Sequence, residues 1–344
     1  MKQFKVGVVG YGWAAGAHIT AINATTLAQV TAVCSSRKLD PAELSRRHGP
    51  LKVHRELNSM LEDQDLHAVS ICSYPPEHAR QAMAAAAAGK HLIIEKPLCL
   101  SLKELRDIEQ AVARAKVKTC VCFELRYSNQ FMVTKSVIDR GLLGKIHYGE
   151  VDYFHGIGPW YGQFRWNVRR QFGGSSLLSA GCHALDALLH CLGTQVESVS
   201  SLATFSAHPD FRKYEYPSTS VTILKFKDGK VGKVAASIDC LQPYYFHTHL
   251  LGSKGSVLDN KFFSSTLKGL DKSKWSELAL KLCDSGDVSD HPYQAQFQAF
   301  FDALQAGRDM PFTHLAEAAR THRVIFAADR SAELGRAVKL DSLP

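Results

Sequence analysis

The sequence predicts an α/β protein in two parts: an N-terminal doubly wound parallel sheet, then an α+β domain built on a large, mostly antiparallel open sheet. Three observations lead there. Apolar, β-branched runs alternate with helical stretches through the first third of the 344 residues. After about residue 124 the strands lengthen and alternate apolar with polar residues. A chain of 344 residues also exceeds one ordinary core, so two domains are the default. The expected division is 1–123 and 124–344.

In order, "FKVGVVG", "AQVTAVC", "HAVSIC", "HLIIE" and "KVKTCVCF" read as strands. They are apolar on both faces and spaced by helices, the pattern of a parallel sheet covered on both sides. The helices include "AAGAHITAIN" and "PPEHARQAMAAAAAGK", the second with Gly89 as its C-terminal cap. In "SLKELRDIEQAVARAK", Ser101 and Glu104 form a capping box. "NQFMVTKSVIDRG" is a linking helix. Beyond it, "KIHYGEVDYFHG", "VESVSSLATFSA" and "TSVTILKFKDGKVGKVAASID" alternate as half-buried strands, the last with a hairpin turn at Asp228-Gly229. "FHTHLLGSKGSVLDN" reads as a second hairpin, and helices return in "HPYQAQFQAFFDALQAG" and "LAEAARTHRVIFAADRSAEL".

Composition narrows the function classes. A hydrophobic content of 45% with 22% charged residues is that of an ordinary globular protein and argues against disorder. "MKQFKVGVVG" reads as the first strand rather than a leader, and no apolar run reaches membrane-spanning length, so a cytoplasmic protein without membrane partners is expected. The nine cysteines form no CxxC pair, which suits a reducing compartment; Cys120 and Cys122 share one face of a strand as small buried hydrophobes. The net charge of +8 is spread in short pairs such as Arg46-Arg47 and Arg169-Arg170, without the clustering a nucleic-acid surface requires. Attraction for an anionic cofactor or substrate accounts for the excess.

"VGVVGYGWAAGAH" carries Gly10, Gly12 and Ala15 in the spacing G-x-G-x-x-A, after a strand and opening a helix, with Trp13 beside them as a further cofactor-binding candidate. The first glycine permits a tight turn, the second lets the backbone approach a pyrophosphate, and Ala15 allows close packing of helix on strand. The anion then sits on free N–H groups at the positive end of a helix. This is the fingerprint of a Rossmann dinucleotide site. The acid that would hold a ribose 2′-hydroxyl belongs at the end of the second strand. That end reads "AVCSSRKLD", with no carboxylate before Asp40. Ser36 and Arg37 suit a 2′-phosphate, so NADP is favoured over NAD.

"HLIIEKPLCL" ends an apolar strand on Glu95 and Lys96. Ligands of such sheets bind outside the carboxyl ends of the strands, so both residues are expected to project into that crevice, beside the nicotinamide. Here the chain resembles the glucose–fructose oxidoreductase, inositol dehydrogenase and MocA (Gfo/Idh/MocA) oxidoreductases. The resemblance covers most of the chain and rests on "VGYGWAAGAH", "SYPPEHA", "EKPLCLSLKE", "FELRYSN" and "GGSSLLSAGCHALDALLH". It implies that Lys96 lies between nicotinamide and substrate, with a cis bond before Pro97. It also implies that Ser73, His78, Arg126 and the aromatic Tyr293 lie near the cofactor. Oxidising an alcohol removes a hydride from carbon and a proton from oxygen, so a proton acceptor is needed. Free lysine titrates near ~10.4 and burial lowers that value.

"GGSSLLSAGCHALDALLH" reads as a glycine turn entering a helix, with Ser179, His183 and Asp186 at i, i+4 and i+7 on one face. In the resembling family the first of these is usually Asp, and the Asp/His pair joins the lysine at the substrate. Ser179 departs from that pattern: a hydroxyl can orient the imidazole but adds no charge. Just before it, "YFHGIGPWYGQFRWNVRRQFGG" is dense in Trp, Tyr, His and Arg. Tyr153, His155 and Trp166 are the candidates there for a sugar or cyclitol, whose ring offers apolar C–H patches and hydroxyl edges. His247 and His249 hint at a metal, but the sequence places no further ligand, and no metal site is expected.

These readings add up to an NAD(P)-dependent oxidoreductase moving a hydride between the nicotinamide and a hydroxyl carbon of a sugar, cyclitol or related polyol. Lys96 and His183 are its proton-transfer residues. One alternative is a glycoside-cleaving enzyme that oxidises transiently, eliminates, and shows no net redox change. Another is a dinucleotide-binding sensor without turnover. A homo-oligomer, dimer or tetramer, is expected if the open sheet face buries apolar surface by association.

Overall fold

The first strand, β1 (Phe4–Val9), shows why the N-terminal sheet is parallel: Val6, Val8 and Val9 are all buried, so both of its faces are covered. The computed structural model describes residues 3–284 and 291–343. β1 is followed by β2 (Ala28–Cys34), β3 (Lys52–His54), β4 (Ala68–Ile71), β5 (His91–Ile94) and β6 (Thr119–Val121). All pair in parallel in the order β3-β2-β1-β4-β5-β6. The order reverses beside β1, where such sheets bind their ligands. The edge strand β3 was not anticipated. It has three residues, only one of them β-branched, and lies between two helices.

Two compact units divide the chain. The first comprises Met1–Glu124 and His291–Ala319, the second Leu125–Asp290 and Arg320–Pro344. Along the sequence the division at 123/124 is continuous; in space, residues 291–319 return to the first unit. Its helix Tyr293–Gln305 buries Phe297, Phe300 and Phe301, and Gln296 donates to the Val121 carbonyl at 2.9 Å. Caps behave largely as read. Gly89 takes φ 71° after the helix Pro75–Ala87. The Ser101 hydroxyl accepts the Glu104 N–H at 3.2 Å, but Glu104 reaches one residue further back than a capping box requires, to the Leu100 N–H at 2.8 Å.

Among the described residues the second unit holds nine strands: β7 (Ile146–Phe154), β8 (Val196–Thr204), β9 (Thr219–Phe226), β10 (Val231–Ser237), β11 (Tyr245–Gly252), β12 (Gly255–Leu258), β13 (Lys261–Ser264), β14 (Ser276–Glu277) and β15 (Val338–Lys339). Their order is β14-β13-β12-β11-β7-β10-β9-β8-β15, antiparallel except for β7 with β10. Both expected hairpins form, β9–β10 with Gly229 at φ 87° and β11–β12. The helix Cys182–Leu192 covers one face. A Cβ on Gly181 would stand 2.3 Å from the Ala236 Cβ, so only glycine lets this helix press onto β10. The nine cysteines are free thiols, seven of them buried. Among the described residues no helix is long and apolar enough to cross a membrane.

Candidate active site

The glycine loop joins β1 to the helix Trp13–Asn23. Gly10 has φ 85°, and a Cβ there would lie 2.8 Å from the Cys72 carbonyl oxygen and the Ser73 backbone, so both conformation and space demand glycine. Gly12 differs: a Cβ would meet nothing within 4 Å. The space it leaves is open, as the approach of an outside group requires. Gly12 caps the helix without a side-chain hydrogen bond, and the first turn carries no acid. Its N–H groups are therefore suited to an anion. Ala15 is fully buried against the sheet and Trp13 is exposed. At the end of β2, Ser36 and Arg37 are both exposed. The Arg37 guanidinium donates to the Tyr11 carbonyl, leaning toward the glycine loop. These residues fit a dinucleotide: a tight turn, an uncovered pyrophosphate approach and a cation at the ribose end.

Ser73 follows β4 and donates to Gln81 at 2.6 Å. His78 is buried, with its ring nitrogens 2.7 Å from the Pro97 carbonyl and 3.0 Å from the Ser73 carbonyl. It thus ties the loop after β4 to the turn after β5. Burial lowers its pKa, although the two carbonyls favour a proton on each nitrogen. The Lys96–Pro97 bond is cis.

Glu95 and Lys96 part company. Lys96 is half-buried, whereas Glu95 turns inward rather than into the crevice. Glu95 Oε1 lies 2.8 Å from His18 Nε2 and accepts from the Tyr293 hydroxyl at 2.6 Å; Oε2 accepts the Lys96 N–H at 3.1 Å. Burial alone would raise the Glu95 pKa, but the hydrogen bond and charge of His18 hold it at about 2. Burial pulls His18 down; Cys72 and Glu95 more than offset that and push it up to about 10. The pair is a buried imidazolium–carboxylate, with Ser70 2.8 Å from the other imidazole nitrogen. His18 was overlooked in the sequence although it lies inside the glycine motif. The signal was there: Ala15, Ile19 and Ile22 place it on the buried face of its helix, where a polar ring must find a partner.

In the second unit, His183 is 4% exposed at the start of the helix Cys182–Leu192. A π-helical turn, Leu177–Gly181, precedes it and contains Ser179. The i, i+4 spacing of Ser179 and His183 therefore does not describe a regular α-helical face. The Ser175 hydroxyl accepts the Leu178 N–H at 3.0 Å and donates to Asp329 at 2.9 Å. Ser179 interacts with the buried Tyr216 hydroxyl. Asp186 receives Arg126 through Nε at 2.6 Å and a second nitrogen at 2.7 Å, plus the Thr321 hydroxyl at 2.8 Å. Arg126, 3% exposed, is thus bound within this unit.

The substrate candidates separate. Tyr153 donates to or accepts from His155 at 3.1 Å, and the His155 ring lies edge-on to Tyr161 at 5.1 Å and Tyr244 at 5.4 Å. Cys182, next to His183, is close enough to Tyr153 to influence its ionisation. Trp166 instead contacts Phe172, ring centres 6.4 Å apart. Tyr244 was not singled out; it lies in a loop 89 positions beyond His155, and only the pairing of β7 with β11 brings it there.

Residues 4–123 match the family described as "Oxidoreductase family, NAD-binding Rossmann fold", and residues 131–258 match the "GFO/IDH/MocA C-terminal domain". The myo-inositol 2-dehydrogenase of Thermotoga maritima is 24% identical over 263 residues, 76% of this chain and 77% of that protein. The levoglucosan dehydrogenase of Pseudarthrobacter phenanthrenivorans is 26% identical over 292 residues, 76% and 74% of the two chains. Among solved structures, scyllo-inositol dehydrogenase from Lactobacillus casei, with bound NAD(H) and scyllo-inositol, aligns with TM-score 0.81 at 20% identity over 99% of this chain and 100% of that one. At that identity the likeness speaks to the fold.

Proposed function

Because the chain belongs to the Gfo/Idh/MocA oxidoreductase family, we propose that it is a dehydrogenase acting on a CH–OH carbon of a sugar, cyclitol or related polyol. The observation that carries this reading is the pairing, within one unit, of an acid-free glycine loop with Lys96 at the end of β5. Gly10, Gly12, Trp13 and Ala15 would hold the dinucleotide's pyrophosphate end, and Ser36 with Arg37 a 2′-phosphate, which favours NADP. The nicotinamide, when bound, supplies the hydride acceptor. The substrate's hydroxyl proton passes to Lys96 Nζ, while His183 orients the reacting oxygen and Tyr153 and His155 offer apolar and polar surface to a ring. Relatives named for inositol and levoglucosan support a cyclic polyhydroxylated substrate. Association through the open sheet face belongs to the same reading: Leu202, Val221, Ile223 and Val231 stand exposed there.

Ser179 favours one second reading, transient oxidation followed by elimination, since the usual acid is missing. A panel of sugars, polyols and aryl glycosides, incubated with each cofactor, separates the two. The test follows nicotinamide absorbance together with product release. Stoichiometric reduction supports the dehydrogenase; product without net absorbance change supports elimination. A full panel showing neither, with cofactor bound, would overturn both.

A further inference from the structure

The sheet face opposite the helix Cys182–Leu192 carries a polar patch outside the site described above. On β7, Gly149 faces that helix, with a would-be Cβ 2.9 Å from Leu192; Glu150 and Asp152 hence share the other face. Strand β11 brings His249 opposite Glu150 and His247 opposite Asp152, and β10 adds Lys233 opposite Glu150. The donor atoms of Glu150, His247 and His249 all lie within 4.8 Å of one another. The sequence shows the two histidines; the third ligand comes from a strand nearly a hundred residues earlier, so only the fold reveals it.

We propose that Glu150, His247 and His249 form a divalent transition-metal site, suited to zinc. Two imidazoles and a carboxylate are borderline ligands of the type zinc takes, with remaining positions open to water. The second layer supports the choice. Asp259 lies 3.3 Å from His247 Nδ1 and is itself held by the Tyr245 hydroxyl at 2.7 Å and the Thr248 N–H at 2.9 Å. A carboxylate on Nδ1–H leaves the Nε2 lone pair as the ligand, and Nε2 faces Glu150 Oε1 at 3.9 Å. Tetrahedral bonds of ~2.0–2.1 Å would bring such donors to roughly 3.3 Å, a small side-chain rotation. Charge also fits. Glu150 and Asp152 share one ammonium, Lys233, and Asp259 lies against His247, leaving two negative charges when both imidazoles are neutral. Lys233 bonds Glu150 at 2.5 Å and Asp152 at 2.6 Å, so it can keep Asp152 when Glu150 turns to a cation. A proton on His247 is the competitor, since the Asp259 hydrogen bond raises its pKa.

The test titrates the chelator-treated full chain with Co²⁺, then Zn²⁺, near neutral pH. Expected are one saturable equivalent, a visible Co²⁺ spectrum of tetrahedral type without a thiolate band, and displacement by Zn²⁺. His249→Ala should weaken binding by at least the roughly 10–100-fold that loss of an outer partner costs, and Asp259→Asn by about that amount. Glu150→Gln, which preserves shape, reads the same loss should His249→Ala not fold. The absence of saturable binding, a thiolate band, or affinity unchanged in these variants overturns the site.

Discussion

Replacing His18 with Gln would remove the cation of the buried pair and leave Glu95 with the Tyr293 hydroxyl, the Lys96 N–H and the weaker attraction of the Lys96 charge. Breaking a buried pair from one side costs about 3–5 kcal/mol, because the remaining charge is stranded in a poor solvent. At roughly 2–4 °C per kcal/mol for a domain of this size class, the melting temperature should fall by roughly 6–20 °C near pH 7.5. The stranded carboxylate has an escape: without His18, burial raises its pKa, and protonation relieves the strain. The variant should therefore regain stability on acidification toward about pH 5, while the wild type gains only the remainder of the His18 contribution, which is complete below 6.5. His18, raised from 6.5 to about 10, contributes stability that is full below 6.5 and gone above about 10. Glu95, lowered from 4.5 to about 2, contributes stability that is full above 4.5 and gone below about 2. Both contributions are complete between pH 4.5 and 6.5. The assay is thermal melting of wild type, His18→Gln, Glu95→Gln and the double variant at both pH values. The double variant should be less unstable than the sum of the singles. A His18→Gln protein melting with the wild type at both pH values would refute the ion pair.

Gly12→Val should stay folded, since its Cβ meets no protein atom within 4 Å, yet lose dinucleotide affinity; calorimetric titration showing unchanged affinity removes the loop from the site. Arg37→Ala should narrow a preference for NADP over NAD by more than about tenfold, the worth of one charge-assisted contact of roughly 1.5–3 kcal/mol. Equal binding of both cofactors by the wild type would already reject that assignment. Lys96→Met should abolish turnover with cofactor binding intact, while His183→Asn raises KM more than it lowers kcat. Ser179→Asp should move the acidic limb of the pH–rate profile upward; equal inactivity of the first two variants and an unmoved profile in the third would show this division of roles to be wrong. Asp329→Asn should keep the Ser175 hydrogen bond and melt higher than wild type above about pH 7, as melts across pH can check.

The longer strands and most caps were legible because they depend on local chemistry: β-branched runs, a serine or glycine at a helix end, Asp228-Gly229 at a hairpin; the short strands β3, β13, β14 and β15 carry too few such residues to stand out. What stayed hidden depends on distance along the chain or on local irregularity. Consecutive residues of an extended segment point to opposite sides, so Glu95 and Lys96 could not both project into one crevice. The partners that hold Glu95 inward, His18 and Tyr293, lie 77 and 198 residues away. The π turn Leu177–Gly181 has no sequence mark that distinguishes it from an α-turn. Its anchors are spatial: Gly181 is pressed to within 2.3 Å of Ala236 for a would-be Cβ, and Ser175 is held by Asp329.

The buried charges also bear on what a pH–rate profile can report. His18 at about 10 and Glu95 at about 2 stay ionised through the neutral range, so neither supplies a limb there. Their opposite charges cancel at a distance, and Lys96 follows a pair with no net charge instead of a lone carboxylate. Asp186 is likewise committed, to Arg126 and Thr321. Asp329 behaves differently: enclosure pushes its carboxyl up to about 7. Its raised pKa means the folded chain holds a proton that the unfolded chain releases, so stability falls as pH climbs from 3.8 toward about 7. Asp329 bonds Ser175, which caps the turn carrying Ser179 and leading to His183. Ionisation of Asp329 can thus shift a neutral-range limb through the position of that turn, without any proton passing to substrate. Asp329→Asn separates the two sources. A limb that survives the substitution belongs to the groups that handle the substrate's proton, and one that vanishes belongs to the support beneath them.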